Sequence, residues 1–284
     1  MTFENLSESM NLLPGKARVD ELRGAIKADF TVEGDAKKPL INGHCKISDL
    51  GIKFKGMGRA LEKINGTLAF NSSAIDNIAL QGNMGKAKFN ITGGVSDVTT
   101  KDPQLAMKAT IDGDLGDVQA LAEELKNIKM SGPLTIKATL EGSFGKPHYT
   151  ADIKLSNAYF DGIGLAQPIS KMRFSGRLQD NRLRIDDCKF GIGRSDFNLK
   201  GHISGFEKPV IQIDNHSNYV DLDELIPAPG KTRGEPQQGQ PLPITILGTV
   251  MITRLTGMQM EFRDIKTNIK YQAGIIDLRD CAAR

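Results

Sequence analysis

Of the 284 residues, 39% are apolar and 25% charged, a composition that supports a packed core and excludes a low-complexity or disordered polymer. The 37 basic and 34 acidic side chains are interspersed to a net charge of +3, without the like-charged runs of a nucleic-acid surface. No stretch of about 18 apolar residues offers a spanning helix, and the polar start Met1-Thr2-Phe3-Glu4 is unlike a signal peptide.

Residues 1–23 read as an N-terminal segment with a weak helical pattern around Leu6, Met10 and Leu13, ended by Pro14-Gly15. A first β-repeat unit, residues 24–131, opens on GAIKADFTVEGDAKKP, Gly24 to Pro39, where Ile26, Ala28, Phe30 and Val32 alternate with polar residues. A period of two predicts a strand with one dry and one wet face. Gly34 can take the positive φ of a tight turn, and Pro39 fits only the start or edge of the next strand. Further strands are predicted at Ile41 to Ile47, Gly66 to Phe70, Ile75 to Leu80, Lys86 to Gly93 and Leu105 to Ile111, with a turn at Ser48-Asp49 before a short strand ending at Phe54. Asp117 is a candidate cap for a helix to Ile128, because Val118, Leu121, Leu125 and Ile128 lie three or four apart.

The same order then recurs in a second unit, residues 132–226. GPLTIKATLEGSFGKP, Gly132 to Pro147, repeats the leading Gly, the Glu-Gly pair and the Lys-Pro pair at the same offsets, with Leu134, Ile136, Ala138 and Leu140 alternating. Lys154-Leu155-Ser156 answers Lys46-Ile47-Ser48, Arg194 to Gly201 answers the strand ending at Gly93, and Val220 to Leu225 stands where the first copy has its helix. Glycines and apolar parity repeat better than polar residues do, so shape is what the repeat keeps. Residues 227–243, PAPGKTRGEPQQGQPLP, read as a linker or surface loop. Residues 244–284 begin a third unit with strands at Ile244 to Ile252, Ile265 to Tyr271 and Ile275 to Cys281, and a repeat that stops there predicts a piece of a longer protein. The expected fold is mainly β: repeated antiparallel hairpin units in a long twisted, curled, groove-like sheet, with a few short helices.

No reaction is visible in the motifs. Cys45, Cys188 and Cys281 are far apart, and neither a Cys-x-x-Cys nor a His-x-x-x-His pair occurs, so no metal, cofactor or catalytic residue is assigned. Ile185-Asp186-Asp187-Cys188 and Leu278-Arg279-Asp280-Cys281 fall where the first unit has Ile75-Asp76-Asn77-Ile78, which makes Cys188 and Cys281 small apolar core residues. His44 and Cys45, adjacent on a strand, point to opposite faces. The glycines at Gly56 to Gly58 and Gly191 to Gly193 lack the context of a dinucleotide site.

What remains is the apolar face. Ile26, Phe30, Val32, Phe89, Ile91, Met107, Ile111, Leu134, Ile136, Leu140, Ile153, Leu155, Phe197, Leu199, Ile211 and Ile213 are expected to line it. Alternation alone fits both a sandwich core and an open trough covered by acyl chains.

The order of strand, Glu-Gly turn, Lys-Pro, strand, Ser-Asp/Asn turn and Gly-flanked strands resembles the AsmA family of bacterial envelope proteins, a group related to TamB and other bridge-like lipid transfer proteins. The end carries the most specific likeness: Gly248 to Met258, then Phe262-Arg263-Asp264-Ile265, then Gly274 to Leu278, is similar to the segment that precedes a Tyr-Gly-Gly-like motif in the family. The chain reaches Cys281-Ala282-Ala283-Arg284 before that motif. The resemblance implies a periplasmic, non-enzymatic protein held in the inner membrane by an N-terminal helix outside these residues, with a β-groove for phospholipid or another acyl-chain lipid and a part in lipid transport and outer-membrane maintenance. A structural β-repeat scaffold that binds protein partners through sheet edges is the alternative.

Overall fold

A computed structural model of the chain describes residues 2–3, 19–35, 37–119, 125, 127–163, 165–225, 244–272 and 274–284. In chain order the elements are β1 (Thr2–Phe3), β2 (Val19–Asp35), β3 (Lys38–Phe54), β4 (Leu61–Asn71), β5 (Ala74–Met84), β6 (Ala87–Ser96) and β7 (Gln104–Asp114), followed by the short α1 (Leu115–Gln119). Then come β8 (Lys129–Ser131), β9 (Pro133–Ser143), β10 (His148–Asp161), β11 (Ile169–Gln179), β12 (Arg182–Ile192), β13 (Ser195–Ser204), β14 (Val210–Asp221) and α2 (Leu222–Leu225). β15 (Thr245–Gly257), β16 (Met260–Gln272) and β17 (Ile275–Ala282) complete the described elements. The protein is mainly β, built from repeated antiparallel hairpins in open, twisted sheet with short helices only.

The chain forms two compact units, Met1–Lys126 with Leu134–Ala151, and Asn127–Pro133 with Asp152–Arg284. In the first, β2 to β7 each pair antiparallel with the next strand. β9 runs back along β7: Thr135 Oγ1 donates to Asp112 Oδ1 (3.0 Å) near one end and Phe144 N donates to the Pro103 carbonyl (2.8 Å) near the other. β9 belongs to the second repeat by sequence but packs in the first unit, because strand pairing holds it there. In the second unit β11 to β14 form an antiparallel meander, and β15 to β17 another. β14 and β15 are parallel, with Val210 beside Thr245 and Asp221 beside Thr256, so the chain must return from one end of the strand to the other between them. The linker expected at 227–243 and the N-terminal helical pattern at Leu6 to Leu13 lie outside the described residues.

Ser48-Asp49 is a bulge inside a continuous strand and not the turn read from sequence. Asp49 has φ +49°, and the register with β4 shifts between Ile47 and Leu50. A short polar residue tolerates that left-handed conformation, so the strand bends without ending. The leading glycines of the two repeated stretches serve the same bends. Gly24 (φ +117°) and Gly132 (φ +124°) lie so close to the neighbouring strand that a Cβ would sit 2.6 Å from Leu50 Cα and 2.7 Å from Ala158 Cα. Only glycine allows that approach together with that φ.

The helix expected over Asp117 to Ile128 is described only as α1, with residues 120–124 and 126 outside the described set. Its cap is Asp114, whose Oδ1 accepts from Gly116 N (2.9 Å), and α2 is capped alike by Asp221, which accepts from Asp223 N (3.0 Å). Asp117 instead takes another part: its Oδ1 accepts from Lys86 N (3.1 Å) at the β5–β6 turn. Glu224, at the matching offset, accepts from Arg194 N (2.6 Å) at the β12–β13 turn. Each helical turn thus holds a hairpin tip through a carboxylate.

Candidate functional site: an apolar face on each unit

Register places the alternating residues in rows. In the first unit Ile26, Ile47, Gly66, Leu80, Ile91 and Ala109 lie side by side across six strands, and Phe30, Gly43, Phe70, Ile75, Val95 and Leu105 form a second row. Phe89 faces Ile111 across β6 and β7, and Gly93 faces Met107. In the second unit Leu178, Leu183, Ile203, Ile211, Ile246, Tyr271 and Ile276 make one row. A second row runs Gly176, Ile185, Gly201 and Ile213, and Cys188 faces Leu199. Phe197 is opposite Phe190 with stacked rings 5.0 Å apart. Asp152 meets Arg177 on the wet face (3.6 Å), which turns Ile153 and Leu155 to the apolar one. The sixteen expected residues are divided between the units, Ile26 to Leu140 on the first and Ile153 to Ile213 on the second.

Glycines in these rows are covered by rings. A Cβ on Gly43 would meet Phe70 Cζ at 2.5 Å and Phe30 Cβ at 2.6 Å, and one on Gly82 would meet Phe89 Cζ at 2.5 Å. The phenyl groups fill the space of the missing side chains, and the face stays apolar there.

Burial is graded along the strands. Ile47, Leu50, Ile64 and Phe89 are buried together, with Leu22, Ile26, Leu61, Leu80, Ile91 and Ile111 packed against them, at the end of the first unit where α1 sits. Leu134 is buried at the same end, whereas Phe30 and Val32, near the β2–β3 turn, are 51% and 58% exposed. The remaining expected residues are half-buried. Among the described residues no second sheet covers the face, since every described strand of the unit belongs to one ladder.

The cysteines divide. Cys188 is buried between Phe174 and Leu199, and burial, with the charge of Asp187 adding to it, pushes its thiol up to about 11. That thiol is a core residue and a poor nucleophile. Cys281, expected in the core, is exposed: it has Thr267 on one side (3.1 Å) and no described strand on the other. Cys45 sits in the row of Ala28 and Leu68, while His44 faces Asp29 on the wet side (3.6 Å).

Sequence reading missed two polar groups on the second unit's apolar face. Asn215 and Ser217 are buried opposite Val250 and Ile252, bonded to each other at 3.0 Å. At the helix end Tyr219 lies between the guanidinium groups of Arg194 (6.0 Å) and Arg254 (5.7 Å), its hydroxyl 2.7 Å from Thr256 Oγ1. Arg194 is engaged by Asp221 and Glu224, and Arg254 by Glu261, so the group is a closed ion-pair network. Two shallow depressions lie on the wet face of β14 to β17, one of about 330 Å³ lined by Gln212, Asp214, Thr249, Asn268, Lys270 and Arg279. Among the described residues there is no cluster of metal ligands, and no helix is long and apolar enough to cross a membrane. No protein-family model, curated protein or solved structure matches the chain.

Proposed function

We propose that the chain is a non-enzymatic segment of an AsmA-like envelope protein whose apolar sheet face accommodates the acyl chains of phospholipid or a similar lipid. The observation that carries this reading is the pair of in-register apolar rows on an open sheet, buried at one end and exposed at the other. An acyl chain laid along such a row removes apolar area from water at about 25 cal/mol per Å², or about 0.8 kcal/mol per methylene, so affinity needs no head-group site. A place in the bacterial periplasm, inner-membrane anchoring outside these residues, and a role in lipid transport rest on the family resemblance.

The test is mass spectrometry of organic extracts of the purified protein, with Ile136→Asp and Leu155→Asp beside the wild type. Stoichiometric lipid in the wild type, reduced in folded variants, is expected. On a face covered by ligand the new carboxylate meets lipid or water, whereas in a closed core it would cost several kcal/mol. Lipid-free wild-type protein whose variants unfold would refute the proposal. It would favour the scaffold reading.

A further inference from the structure

We infer that the turn end of each unit is a docking surface for a phospholipid bilayer, entered by aromatic hairpin tips. The inference builds on the acyl-chain reading, because it supplies the surface from which a chain reaches the open end of the face. It stands on its own geometry.

Two turns share one construction. Phe144, in the turn between β9 and β10, is 67% exposed, yet its backbone is pinned: its N–H donates to the Pro103 carbonyl (2.8 Å), and Gly145 N donates to Asp102 Oδ1 (3.0 Å). Ser143 Oγ donates to the same carboxylate (2.6 Å), and these bonds hold Asp102 below its ordinary carboxylate range, charged and clamping. In the second unit Phe206, in the turn between β13 and β14, is 46% exposed, and its N–H donates to Asn181 Oδ1 (3.1 Å) while Gly205 N donates to the Asn181 carbonyl (3.2 Å). In both, a polar side chain of the neighbouring turn fixes the backbone, and the phenyl ring beside it is exposed. An exposed ring on a fixed backbone is organised for an apolar surrounding that the unit itself does not supply.

The β2–β3 hairpin adds a third tip. Its pairing continues to Asp35 and Lys38, past the last β4 pair at Asn42, and the β4–β5 turn follows part of the way through Ser72, whose Oγ accepts from Ile41 N (2.7 Å) and donates to the Pro39 carbonyl (3.2 Å). At that tip Val32 projects from the apolar face and Leu40, opposite Glu33, from the other, each 58% exposed. Exposed apolar groups on both faces of a hairpin tip do not suit a flat protein partner, which covers one side. They suit a deformable layer that surrounds the tip, and the balanced charges of Glu33, Asp35, Lys37 and Lys38 suit a zwitterionic one.

The chain contains no tryptophan, so Phe144→Trp gives a single reporter at the tip. Added vesicles of phosphatidylcholine are expected to shift its emission to the blue, and brominated acyl chains to quench it. In that background Val32→Ser with Leu40→Ser is expected to weaken vesicle partition roughly tenfold, as the loss of two exposed apolar side chains from the interface predicts. The emission without vesicles, together with circular dichroism, confirms that each variant is folded. A reporter that stays solvent-exposed with saturating vesicles would overturn the inference and leave the tips as a protein-contact surface. Lipid extraction reports separately on the apolar face: co-purified lipid with no vesicle response removes the docking surface alone, and vesicle response without co-purified lipid removes the acyl-chain reading alone.

Discussion

The two units close the helix end of their apolar faces with different chemistry on the same backbone. In the first, Ala109 and Ile111 on β7 face Ile91 and Phe89, and the site is hydrocarbon throughout. In the second, the matching β14 positions hold Asn215, which faces Leu199, and Ser217, bonded to each other and buried. The bulges correspond, and so do the capping aspartates and the carboxylates on the hairpin tips. The repeat therefore preserves a chain path, and either an apolar cluster or a satisfied polar pair fills the space that path leaves.

Three experiments would break or sharpen that comparison. The largest effect is expected from Phe89→Ala, which removes the ring of the first unit's cluster and uncovers Gly82. A loss of about 3 kcal/mol is expected in chemical denaturation, with faster amide exchange in β3 to β6. A loss below about 1 kcal/mol would mean that this face is no packed core even at its buried end.

Asn215→Ala should cost about 2 kcal/mol, because Ser217 Oγ, fully buried, loses its partner. Adding Ser217→Ala should restore part of that loss, making the second unit resemble the first. Strict additivity of the two changes would show that the pair is not a coupled unit.

The smallest effect concerns pH. The first unit has Ile78 where the second has Cys188, whose thiol is held protonated up to about 11. A raised folded-state value stabilises the protein below the unfolded thiol's value of about 8.5 and is lost as pH rises through about 11. The unfolding free energy from chemical denaturation should fall over that window by about 1 to 2 kcal/mol, the full shift being discounted for partial solvent screening, and Cys188→Val should abolish that fall. An identical pH response in the variant would assign the effect to other groups.

Two families of residues were legible in the sequence. Alternation at Ile26 to Val32 and Leu134 to Leu140 named the strands and their dry face, because a side-chain period of two is a local property of extended backbone. Gly34 (φ +88°) and Gly142 (φ +92°) marked turns for the same local reason. The offset of Asp117 against Glu224 held a signal that could have revealed the clamped hairpin tips. A carboxylate near a helix start normally caps that end, which hides the clamp from a local reading.

What only the tertiary structure decided is what each pattern meets across space. Ser48-Asp49 has the composition of a turn, and pairing of both flanks to β4 makes it a bulge. Cys188 and Cys281 have equivalent sequence surroundings, yet one is buried and the other exposed, because β12 has a strand on each side and β17 has one described neighbour. Phe144 and Phe206 look like ordinary apolar residues beside glycine, and contacts from Asp102 and Asn181, about 40 and 25 residues away, fix the backbone on which their rings stay exposed. Local sequence determines backbone preference and side-chain parity through short-range sterics, whereas burial depends on neighbours brought together by register, which no stretch of the chain encodes alone.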